Sequence, residues 1–135
     1  MNQIELTKGL YLAKRPAKEY FNLVDHYGVI DVGNVSGLFH NAGQNPVVIE
    51  KIAGKGNVAN YLSNDWVIVG KVKDHHILSA KIRLKAALND PTYDLLGNNC
   101  EHFARFITEG KKRSTQVNVF AMAAMVGLVF LMSQD

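Results

Sequence analysis

The sequence predicts an α+β domain: an antiparallel sheet of four or five strands, then two helices, then an apolar C-terminal helix. Three observations carry this. Runs rich in β-branched and aromatic residues, separated by glycine turns, occupy the first 72 residues. From Ile77 onward the apolar residues recur at spacings of three and four instead. Residues 117–132, VNVFAMAAMVGLVFLM, carry no charge at all.

Residues 9–13 form a short strand that ends before Lys14-Arg15-Pro16. Residues 26–32, HYGVIDV, form a second strand, which stops at the turn signal Gly33-Asn34. Leu38-Phe39-His40 reads as the start of a strand paired with it. Residues 47–52 and 66–72 (WVIVGKV) are two further strands. In residues 77–88, Ile77, Ala80, Leu84, Ala87 and Leu88 share one helical face, with Lys81, Arg83 and Lys85 largely elsewhere. Asn89-Asp90-Pro91 ends that helix. A second helix begins near Cys100 and stops at Gly110, a C-terminal glycine cap.

Composition narrows the function classes. The chain has 135 residues, 47% hydrophobic and 20% charged, which suits one globular domain and excludes a disordered chain. The net charge of +3 is unevenly spread: residues 1–110 hold 12 Lys+Arg against 11 Asp+Glu, and Lys111-Lys112-Arg113 supply much of the excess. This is not the broad basic surface of a nucleic-acid binder. Glu5 and Lys8 interrupt the N-terminus before a signal-peptide core can form, which points to an intracellular, reducing setting. One cysteine, Cys100, excludes an internal disulfide and multi-thiolate metal sites.

That cysteine stands where chemistry is favoured. Asn98 or Asn99 can cap the helix that follows, placing Cys100 in its first turn, where free N–H groups and the helix dipole favour a thiolate. The plainer reading is a small packed side chain. His26 opens a strand and His40 lies in the strand expected to pair with it. One imidazole could then take the thiol proton while the other orients it, the logic of a nucleophile, a base and an orienting group. Each histidine taken singly reads as a surface or core residue. His75-His76 look like a solvated helix start. His102 follows Cys100 by two positions, so on a helix it points away from the thiol. A zinc site from His26, His40, Cys100 and His102 lacks an H-x₃-H or C-x₂-C pair to pre-form half of the ligand shell, and no metal or other cofactor is expected.

His26-Tyr27-Gly28-Val29-Ile30, then Phe39-His40-Asn41-Ala42, then Asn99-Cys100-Glu101-His102-Phe103 together resemble the lecithin:retinol acyltransferase-like family, with its H-box/NC pattern. The resemblance covers roughly residues 9–110. It implies a circularly permuted papain-like (NlpC-type) fold, in which the histidines precede the cysteine. It implies Cys100 as nucleophile, His26 as general base and His40 as the polar partner that orients His26. It also implies a glycerophospholipid or other acyl-ester substrate, whose acyl group passes through a thioester to water, an amine, an alcohol or another lipid. Tyr27 departs from the tryptophan common in animal members, and the His26–His40 spacing is longer than in compact ones.

The expected organisation is therefore an acyltransferase-like domain at 1–110, a basic juxtamembrane linker at 111–116 and an apolar helix at 117–132. The linker and the all-round apolar tail favour a membrane anchor, although the tail is shorter than the ~20 residues of a full span. Ala121, Ala123, Ala124 and Gly127 offer a small-residue face for self-association. Competing expectations keep the fold and change the role. One is a non-catalytic membrane or host-interaction factor, using residues 71–85 with five basic groups against Asp74. The other is a cysteine peptidase or amidase.

Overall fold

Continuous buried runs on the three central strands, one buried stripe on the first helix and a nearly all-round buried second helix organise the chain into a single five-stranded antiparallel sheet with two helices packed on it. The computed structural model describes residues 6–17, 24–90, 99–116 and 131–132. The strands are β1 (Gly9–Pro16), β2 (Asp25–Val32), β3 (Val47–Ile52), β4 (Gly56–Tyr61) and β5 (Val67–Lys71), in the spatial order β4-β3-β2-β1-β5. The helices are α1 (Ile77–Leu88) and α2 (Cys100–Glu109).

Both faces of the central strands are covered, so β2 and β3 read as nearly unbroken apolar runs. On one face Leu10, Leu12, Tyr27, Val29 and Ile49 pack against Ala80 and Leu84 of α1 and Phe103, Ala104 and Ile107 of α2. On the other, Tyr11, Ala13, Ile30, Val32 and Val48 form a second core, closed by Leu62, Trp66 and Ile68. Leu62 and Trp66 belong to the connection that carries the chain from β4 to β5, at the opposite edge of the sheet. That crossover brings the one tryptophan over the centre of β2. Gly28 makes room for it: a Cβ there would stand 2.9 Å from Trp66 Cη2 and 3.2 Å from the Ile49 carbonyl oxygen.

The expected strand at Leu38-Phe39-His40 is not formed. His40–Ala42 is a 3₁₀ turn, and the strand that pairs with β2 is β3 instead, with Gly28 opposite Glu50 and Ile30 opposite Val48. The reason lies in the loop. Asp31, 1% exposed, accepts hydrogen bonds from the Val35 N–H (2.8 Å) and from the N–H and hydroxyl of Ser36. Asn34, in the left-handed region at φ 54°, accepts from the Phe39 N–H at 2.8 Å. These side chains take donors that a strand ladder would have used. The sequence carries no strand signal for β4, because GNVANY is half-exposed to exposed throughout and lacks an apolar alternation.

Both helices form where the sequence places them, α1 by its apolar period and α2 by its caps. α1 buries Ala80 and Leu84, and its end is held by Asn57 of β4, whose amide donates to the Ala87 and Leu88 carbonyls. The expected apolar helix at 117–132 lies outside the described residues apart from 131–132. Among the described residues no helix is long and apolar enough to cross a membrane.

Candidate functional site

α2 begins with a reciprocal cap. Asn99 Oδ1 accepts from the His102 N–H at 2.9 Å, and His102 Nδ1 accepts from the Asn99 N–H at 3.2 Å. His102 thereby fastens the helix start. Cys100, 7% exposed, thereby sits in the first turn, where amide dipoles favour negative charge. Gly110, at φ 80°, closes the other end of the helix.

His26 reaches this thiol from the start of β2, where it opposes Arg15 of β1. Cys100 stands near enough to raise the His26 pKa, and the His26 Nε2 lies 2.8 Å from Glu50 Oε1. With Nε2 engaged by the carboxylate, Nδ1 is the nitrogen left for the thiol. Glu50 follows from register: it opposes Gly28, so it is the diagonal neighbour of His26 across the β2–β3 pair. Its other oxygen accepts from Asn60 Nδ2 at 3.3 Å, and the Arg15 guanidinium stands 3.6 Å from Oε1. Trp66 flanks the group, 5.9 Å from the His26 ring centroid, with Arg15 5.5 Å from the indole centroid.

The electrostatics follow from these contacts. Burial alone would lower the His26 pKa, but hydrogen bonding and charge from Cys100 and then Glu50 outweigh it and raise the value from 6.5 to about 9. Burial would raise the Glu50 carboxyl; the His26 hydrogen bond and charge, Asn60 and Arg15 together hold it below the ordinary carboxylate range. A protonated imidazole is thus held between a thiol sulfur and a carboxylate.

A second network ties the two halves of this site together. Glu101, fully buried beside Cys100, accepts from Arg105 Nε (2.6 Å), Ser114 Oγ (2.9 Å), Thr115 Oγ1 (2.9 Å) and the Gln116 N–H (3.3 Å). Burial would raise its carboxyl, yet Arg105, Ser114 and Thr115 keep it low. Gln116 then turns to β2: its Oε1 accepts from the Asp25 N–H at 2.7 Å and its Nε2 donates to the Asp25 carbonyl at 3.1 Å. One side chain therefore joins the residue before His26 to the residue after Cys100.

The sequence-derived site is met in part by this geometry. Cys100 and His26 are brought together. His40 is not at the orienting position: it is exposed on the 3₁₀ turn, its Nδ1 is 3.2 Å from Asn34 Nδ2, and the Nε2 of His26 is taken by Glu50. His40 lines a separate cleft with Phe39, Asn60 and Tyr61. The correction has a simple cause, since the strand beside β2 starts seven residues after His40. Glu50 had one sequence signal, an acid inside the apolar strand run VVIEKI. Among the described residues no cluster of three or more His, Cys, Asp or Glu side chains could hold a metal ion. No family model matches the chain, and neither a curated protein nor a solved structure matches it.

Proposed function

We propose that the chain is a thiol acyltransferase or phospholipase A-type acyl hydrolase, with Cys100 as nucleophile, His26 as general base and acid, and Glu50 as the group that orients His26. The observation that carries this reading is the Cys100–His26–Glu50 relay at the start of a capped helix. The H-box/NC resemblance supports a lipid acyl ester as substrate and a permuted papain-like arrangement, with base before nucleophile in the chain. The composition of residues 111–132 supports association with a membrane surface.

The steps balance without a cofactor. With the proton that leaves the thiol already held on His26 as the imidazolium, the sulfur attacks the ester carbonyl carbon as the thiolate. The Cys100 backbone N–H, at the helix start, is the candidate donor to the oxyanion. Collapse expels the alcohol portion, which takes the proton back from His26 and leaves an acyl-thioester on Cys100. Water or another acceptor then gives its proton to His26, attacks the thioester and restores the thiol. Glu50 holds one tautomer and stabilises the imidazolium throughout.

The test is intact-protein mass spectrometry after incubation with phosphatidylcholine vesicles. An added acyl mass on the parent, absent in Cys100→Ser, is expected. Neither adduct nor released fatty acid, with the thiol shown intact, would refute the reading. Cleavage of cell-wall peptides with indifference to lipid would assign the same side chains to a peptidase.

A further inference from the structure

Lys51 lies on β3 next to Glu50 but belongs to different surroundings. It is 1% exposed, so the strand buries a cation almost completely. Burying an ammonium without a close partner costs several kcal/mol unless a ligand or water repays the lost hydration. The Lys51 amine makes no hydrogen bond or ion pair with a described residue. Asp90 offers it a favourable charge at longer range and Lys112 an unfavourable one. Asn57, directly opposite in the β3–β4 register, directs its amide to the end of α1, and its buried Oδ1 has no partner among the described residues.

What Lys51 does meet is a cleft of about 240 Å³ between β3, the end of α1 and α2. Its walls are apolar where the helices supply them, through Ala86, Ala87, Phe103 and Phe106. Among the described residues its polar lining is Lys51, Lys112, His102 and Asp90, two cations against one acid. A cavity with an apolar wall and two ammonium groups suits a ligand with a short apolar part and an anionic head.

We infer that this cleft binds the anionic head of a small amphiphile, a carboxylate or phosphate bearing a short alkyl chain, with Lys51 and Lys112 as its cationic contacts. The inference rests on residues apart from the Cys100–His26–Glu50 relay and holds whether or not that relay is catalytic. It gives the buried ammonium of Lys51 the counter-charge that the described residues do not supply at close range. Because His102 both lines the cleft and caps α2, occupancy bears on the turn that carries Cys100.

The experiment uses the full chain carrying Cys100→Ala, so that no turnover consumes the probe, with binding followed by amide chemical shifts and calorimetry. Octanoate and hexyl phosphate are the two anionic probes, 1-octanol the uncharged control and inorganic phosphate the headgroup alone. One or both anionic amphiphiles should perturb the Lys51, Phe103 and Phe106 amides, with Lys51→Met weakening binding by about tenfold or more and Lys112→Ala by less. The stronger of the two probes identifies the head as carboxylate or phosphate. Lys51→Met keeps the apolar stem, and Lys112→Ala gives an independent reading should the first variant fold poorly. Binding of octanol as tight as octanoate, of phosphate as tight as hexyl phosphate, or by Lys51→Met and Lys112→Ala as tight as the parent would overturn the inference. So would the absence of any response below ~10 mM probe, which corresponds to less than about 3 kcal/mol of binding.

Discussion

Glu50→Gln separates the charge of Glu50 from its shape. Glutamine keeps an oxygen that can accept from His26 Nε2, so the ring stays in place and the carboxylate charge alone is lost. In the parent, the His26 rise from 6.5 to about 9 amounts to ~3 kcal/mol in favour of the imidazolium, at ~1.4 kcal/mol per pH unit. Cys100 and Glu50 share that gain against the cost of burial. Removing the Glu50 charge should therefore lower the His26 value by roughly 1 to 2 pH units. Arg15 strengthens the effect, because its guanidinium, 3.6 Å from Glu50 Oε1, is left facing the imidazolium without a neutralising carboxylate. The sign for stability follows. A raised histidine pKa stabilises the fold fully below its unfolded value near 6.5, and the contribution is lost as pH rises through about 9. The parent should lose stability across that window, and Glu50→Gln should show a narrower window ending at lower pH. The assay is the His26 ring titration by proton NMR, paired with the alkaline limb of kcat/KM on a phospholipid ester. Identical His26 titration in parent and variant, within ~0.3 pH units, would refute the assigned role of Glu50.

Three further perturbations probe the surrounding structure. His40→Ala removes an exposed ring that does not touch His26, so His26 titration and kcat/KM should stay within about twofold of the parent; a larger loss would restore His40 to the site. Gln116→Ala cuts the strap between Asp25 and Glu101, which should cost ~1–3 kcal/mol in denaturant melts and slow alkylation of Cys100 by iodoacetamide; unchanged alkylation would show that the strap is structural alone. Gly28→Ala drives a Cβ against Trp66, Val48 and the Ile49 carbonyl, so ~1–3 kcal/mol of stability should be lost and tryptophan emission should shift red. An unshifted spectrum would mean that the indole does not pack over Gly28.

Much of the site's local framework is visible in the chain because it depends on near neighbours. The three- and four-residue apolar spacing of 77–88 specifies α1, since a helix buries a stripe at that period whatever it packs against. Asn99, Cys100 and Gly110 likewise specify the start and stop of α2, because caps act within one turn. The placement of His26 on a strand and Cys100 at a helix start follows from the same local rules. The orienting partner does not. His40 and Glu50 were both within reach of β2 in sequence, and the choice between them depended on which segment paired with it. Asp31 and Asn34 spent the donors of 35–39 inside the loop, so β3 became the neighbour and Glu50 the diagonal contact. Trp66 reaches His26 only because the β4–β5 connection crosses the sheet, and Gln116 reaches Asp25 from 91 positions away. Register and crossover are set by packing of the whole sheet. Local propensity carries no record of them, so they emerge only when the strands are assembled.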